Sequence, residues 1–206
     1  MSTPTTGQRQ YAKTPGQRAR ILDAAMAVFA RRGERGASLR EIAERVGMSQ
    51  AGVLHHFGSK NALLLAVLDR FDQEDQPGHP LLTIDESVAF VREELVQGLQ
   101  RPGLFQLQIT LAAESIDPAH PAHDFFVDRY RRVTSQFVEP LDAAAASGGL
   151  RDDVDTTALA HLVMGAMEGL QLHHALNPEV DTVASFDLLL DVLAEAFIVS
   201  STPDQV

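Results

Sequence analysis

Apolar residues return at helical spacing along most of the chain. Ile21, Ala25, Val28 and Phe29 fall at i, i+4, i+7 and i+8, one stripe of a first helix. Thr14 is placed to cap that helix, Pro15 suits its first turn, and Gln17 completes the spacing of a capping box. Gly33 and Gly36 end it. Leu39, Ile42, Ala43 and Val46 form the buried face of a short second helix, with Ser38 and Glu41 as its capping box and Gly47 placed for a left-handed C-terminus. Ser49 then caps a third helix only two residues on. Ser59 caps a fourth, with Leu63, Leu64, Val67, Leu68 and Phe71.

The loop DQEDQPGHPLL breaks the pattern with Pro77, Gly78 and Pro80. Helical spacing resumes after it. Thr83 and Glu86 make a further capping box, and Pro102 opens the next segment. Phe126, Tyr130, Val133 and Phe137 give a stripe that Pro140 should kink or interrupt and Ser147–Gly149 should stop. Asp155 caps an apolar stretch closed by Pro178, and Asp181 caps the last, carrying Phe186, Leu190, Leu193 and Phe197. No segment alternates with period two between hairpin turns. The expectation is an all-α fold of about nine helices, without internal repeats. It divides into a tail over 1–14, a first domain over 15–75 and a larger helical domain over 81–200.

Charge changes this picture. The chain carries −11 overall, yet residues 1–60 hold ten Lys/Arg against four Asp/Glu, so the remainder carries −17. A basic end on an acidic body suits contact with a polyanion. There is no cysteine, which removes thiol catalysis, thiolate metal sites and disulfides. The polar N-terminus has no apolar signal core, and no apolar run is long enough to cross a bilayer, so a cytoplasmic location is expected.

The basic end also holds the candidate chemistry. Helix, tight glycine turn, helix over 38–57 is the spacing of a helix-turn-helix, whose second helix enters the DNA major groove. Arg40, Gln50, His55 and Lys60 lie at that element. Glutamine can read adenine, arginine can read guanine, and lysine neutralises phosphate. Ala51 and Gly52 are small enough for close backbone approach, and Phe57 is a core anchor. Over 15–75 the run ILDAAMAVFARRGERGASLREIAERVGMSQAGVLHHFGSKNALL resembles the N-terminal module of the TetR family of transcriptional regulators. The acidic remainder is similar to the C-terminal part of many members. The resemblance implies a phosphate contact at Ser38, a base or phosphate contact at Arg40, and readers at Gln50 and Ala51 beside the cap Ser49. It also implies that His56 is the histidine before the phenylalanine and Lys60 the phosphate lysine. The tyrosine usual in the family falls at Leu54, and His55 next to it is a candidate substitute donor.

Other clusters have blander readings. His55 and His56 point about 100° apart on a helix and do not suit one metal. His120 and His123 in DPAHPAHD, flanked by Asp117 and Asp124, read as a polar turn before a metal site, and His161, His173 and His174 as structural. Gly165 and Gly169, four apart, permit close helix approach. With Leu162 and the final helix (Leu190, Leu193, Phe197) they suit a dimer's four-helix bundle. Phe105, Ile109, Phe126, Tyr130, Met164 and Met167 can wall an internal cavity or serve as plain core. No nucleophile–base pair or metal triad emerges, so catalysis, cofactor and metal are not expected. What is expected is a homodimeric regulator that binds a near-palindromic DNA operator and is released by an apolar or amphipathic small-molecule effector. A metal-dependent helical sensor or enzyme, and a helical interaction protein without DNA affinity, remain the alternatives.

Overall fold

A computed structural model describes residues 15–74, 76–77 and 79–199. Among these, nine helices follow in order: α1 (Pro15–Gly36), α2 (Leu39–Val46), α3 (Gln50–Phe57), α4 (Lys60–Glu74), α5 (Ile84–Gln100), α6 (Pro102–Glu114), α7 (His123–Ala146), α8 (Thr156–Leu176) and α9 (Thr182–Phe197). The only β element described is an isolated antiparallel bridge, Leu150 with Ile198. No described helix is long and apolar enough to cross a membrane.

Local chemistry accounts for most of the helix starts. The side chains of Ser38, Ser49, Ser59, Asp155 and Asp181 each accept a backbone N–H three residues on, at 2.9–3.1 Å. Thr83 and Glu86 form a complete capping box. The pairing expected between Thr14 and Gln17 falls on Thr14, outside the described residues; the Gln17 amide lies 2.8 Å from Met48 Sδ. At Ser38 the box is half made, because the Glu41 carboxylate gathers Arg31, Arg32 and Arg45. Gly47 ends α2 at φ 68°, ψ 35°, a left-handed geometry that costs glycine little. Gly33, at φ 69°, ψ 176°, kinks α1 before its last turn.

Pro140 does not interrupt α7, which runs on to Ala146. The proline ring is buried, and its packing offsets the one backbone hydrogen bond it cannot make.

Two apolar cores hold the helices together. The first joins Ile21, Val28 and Phe29 of α1 to Ile42, Val53, Leu63 and Leu64, and takes in Leu107 and Leu111 of α6 and Phe126 of α7. The second, of Leu95, Phe137, Ala160, Met164 and Phe186, joins α5, α7, α8 and α9. The first core therefore crosses the Pro/Gly loop at 75–80. Helix α6 lies beyond that loop in sequence but packs on α1.

A second link crosses the same line. Asp72, in the last turn of α4, is 8% exposed and is held by Arg129 (2.9 Å) and Arg132 of α7. A carboxylate this buried is tolerated because two guanidiniums replace its water.

Candidate nucleic-acid interface and effector cavity

Helices α2 and α3 present one face to solvent. Their inner face is anchored by Ile42, Val46, Val53 and Phe57. Arg18 of α1 clamps the far end of α3: its guanidinium stacks 4.2 Å from the Phe57 ring centroid and donates to the His56 carbonyl at 3.0 Å. The opposite face carries Ser38, Arg40, Ser49, Gln50, Ala51 and His55, all exposed. His56 is half-buried with its ring beside Phe57, and Leu54 is also half-buried. Gly52 does not share the open face with Ala51. A Cβ there would meet Met48 Cε at 3.0 Å, so its smallness serves packing within the turn.

The cations of this region are already paired. Arg40 meets Glu44 at 2.8 Å and is more basic than usual, chiefly through that hydrogen bond. Lys60, at the start of α4, meets Glu34 of α1 at 3.2 Å. An exposed α3 with a capped N-terminus, glutamine in its first turn and displaceable cations around it can enter a groove and exchange its counter-ions for phosphates.

The larger body holds cavities. One of about 300 Å³ lies between α6, α7 and α8, walled by Phe105, Ile109, Ala112, Phe126, Tyr130, Met167 and Leu172. Five of the six residues proposed for a cavity from sequence line it. Met164 does not; it belongs to the second core, where Thr134 approaches its sulfur at 3.5 Å. The cavity also has polar groups that sequence reasoning passed over: Gln108, Arg129, Glu168 and Gln171. Burial pushes the Glu168 carboxyl above its ordinary range, against the opposing pulls of the Tyr130 hydroxyl and Arg129. Burial, then Glu168, raises the Tyr130 hydroxyl in turn. Arg129 lines the cavity and also holds Asp72 of α4. Glu168 is the one charged residue between Asp155 and the end of α8, and that isolation in an apolar run was its sequence signal.

A separate recess of about 100 Å³ lies between α5, α7, α8 and α9, and nearly all of its wall is hydrocarbon. Leu190, Leu193 and Phe197 line it, half-buried inside the subunit. The apolar side chains that α8 and α9 leave outside are Leu162 (51% exposed), Leu172, Leu176, Leu188 (64%) and Val192 (52%). Gly165 and Gly169 line the larger cavity, and a Cβ at either would meet open space.

The histidine-rich turn is structural. The His120 ring accepts from Ala122 N–H (3.2 Å) and pairs with Ser115 Oγ (2.9 Å), while His123 bonds the Ser115 carbonyl at 2.8 Å. No group of three metal-ligating side chains occurs among the described residues.

A helix-turn-helix on a helical body with a cavity between its helices defines a ligand-responsive DNA-binding regulator. Residues 21–67 match the family described as bacterial regulatory proteins, tetR family, and residues 85–198 match the C-terminal domain of BetI-type transcriptional repressors. The chain belongs to the TetR family of transcriptional repressors, whose members are regulators rather than enzymes. It is 25% identical over 156 residues to the repressor KstR2 of Rhodococcus jostii, covering 68% of this chain and 71% of that one. It is 26% identical over 189 residues to the repressor AcnR of Corynebacterium diphtheriae, covering 91% and 94%. The fold matches SmeT, repressor of the Stenotrophomonas maltophilia multidrug efflux pump SmeDEF, with a TM-score of 0.72 at 22% identity, over 92% of this chain and 95% of that one.

Proposed function

We propose that the protein is a homodimeric repressor that places α3 of each subunit in the major groove of a near-palindromic operator, the two helices about 35 Å apart. The observation that carries this is the exposed, Ser49-capped first turn of α3, with Gln50 and Ala51 outermost. Gln50 reads a base; Ser38, Arg40 and Lys60 meet phosphates. His55 takes the phosphate contact left open by Leu54, since its ring is exposed whereas Leu54 is half-buried. Leu162, Leu188 and Val192 supply the dimer face.

The effector occupies the cavity between α6, α7 and α8. Its walls suit an amphipathic molecule whose apolar part meets Phe105, Ile109 and Phe126 and whose donor or cationic end meets Glu168. Two routes lead from there to the DNA module: α6, which lines the cavity and packs on α1, and the Arg129–Asp72 pair to α4. The effector releases DNA only as far as it binds one arrangement of these elements better than the other.

Binding to duplexes enriched from a randomised pool tests the interface. Lys60→Ala should weaken binding to every enriched duplex alike and flatten the salt dependence there by about one unit of slope. Gln50→Ala should relax preference at one base position. Unchanged affinity in both variants would refute the mapping.

A further inference from the structure

We propose that Glu34 is a built-in competitor of DNA phosphate for Lys60, and that it sharpens operator discrimination by suppressing loose, non-specific binding. The inference rests on the DNA-binding reading above.

The ion pairs around the interface are not alike. Arg40–Glu44 has both side chains more than 60% exposed, so solvent and salt screen it and it exchanges at little cost. Glu41 ties three arginines together within the module. Lys60–Glu34 is different: the two side chains are only 27% and 17% exposed, which shields their attraction from bulk water. Lys60 is also the first residue of α4, beside the Ser59 cap. A helix N-terminus carries positive partial charge, so a lysine there raises the demand for an anion. Glu34 meets that demand in the free protein.

The carboxylate is set there by the backbone. It follows Gly33, whose positive φ kinks α1. Phosphate has the same charge sign and the same acceptor chemistry, so at Lys60 it is repelled by Glu34 and competes with it for the ammonium. A protein lying loosely on any duplex gains too little from one phosphate to drive the exchange. One docked in operator register has α2 and α3 already fixed, and the exchange becomes one step of a cooperative fit. Lys60 thus adds to specific binding and is withheld from non-specific binding.

The test compares wild type, Glu34→Gln, Lys60→Gln and the double variant on two duplexes of equal length. One is enriched by the wild-type protein from a randomised pool; the other is unselected. Thermal unfolding checks that each variant is folded. Glu34→Gln should tighten binding to the unselected duplex by roughly threefold to tenfold near physiological salt and steepen its salt slope by about 0.9, one phosphate contact. The enriched duplex should gain about twofold at most, so the specificity ratio falls. In the Lys60→Gln background the Glu34 change should have no further effect. The proposal is overturned if Glu34→Gln leaves the unselected duplex unchanged, tightens both duplexes equally, or acts as strongly without Lys60. Failure of the wild type to enrich any duplex would instead sink the DNA-binding reading.

Discussion

The two cores of the molecule differ in what they enclose. The first, under α1–α4, is close-packed: Ile21, Val28, Phe29, Ile42, Leu63 and Leu64 are fully buried, and none of them lines the recess or the cavity described above. The second, under α5–α9, is pierced by a hydrocarbon recess, and a cavity that contains a carboxylate lies between the two, walled by Phe126 on one side and Met167 on the other. The close-packed core holds a surface in fixed geometry, as groove reading needs. The open one trades packing for a place to hold a ligand, and voids and buried charge cost stability. The contrast also locates the sensitive point, where a buried charge pair of the second region grips a helix of the first.

Removing that grip should have the largest effect. Asp72→Asn leaves Arg129 and Arg132 without their shared carboxylate, and breaking such a pair costs about 3 kcal/mol. Denaturant titration measures the loss. An intact midpoint would mean that the apolar contacts of α6 and of Phe126 join the two regions without help from the charge pair. Next comes Ser49→Ala, a loss of about 1 kcal/mol from the missing cap of α3. Its operator affinity should fall too, because the frayed turn carries Gln50. A variant that loses stability but keeps operator affinity would show that the first turn is not the reading edge.

The smallest effect should be a gain. The Glu168 carboxyl is raised above its unfolded value. The folded state therefore holds the proton more tightly, and stability falls as pH rises from the ordinary carboxylate range through the raised one. Glu168→Gln should flatten that fall and lift the melting temperature at pH 7 by about 2 °C. A lower melting temperature would mean that Arg129 and Tyr130 compensate the charge fully.

How far the sequence could be read follows the same division. Caps at Ser38, Ser49, Thr83, Asp155 and Asp181 and the turn at Gly47 act over three or four residues, and the structure has each of them. The grip of Arg129 on Asp72 spans 57 positions and has no local signature. The same limit explains α9. Its stripe of Leu190, Leu193 and Phe197 was correctly helical, but periodicity alone does not say whether a stripe faces its own core or another subunit. Here it faces the inner recess, and Leu188 and Val192 lie outside. Met164 went to core rather than cavity for the same reason, since one position along a helix turns a side chain by about 100°. Pro140, expected to kink or interrupt α7, leaves the helix continuous to Ala146 with its ring buried, and burial of that kind has no local signature.

Tyr130 has a further consequence, a spectroscopic one. The chain contains two tyrosines and no tryptophan. Tyr130 stands in the cavity wall beside the Glu168 carboxylate, and Tyr11 lies outside the described residues. In a Tyr11→Phe variant, all tyrosine emission comes from the cavity. Any occupant that displaces water from the phenol or takes over the carboxylate beside it would change that emission directly, so the protein can report its own ligand without a label.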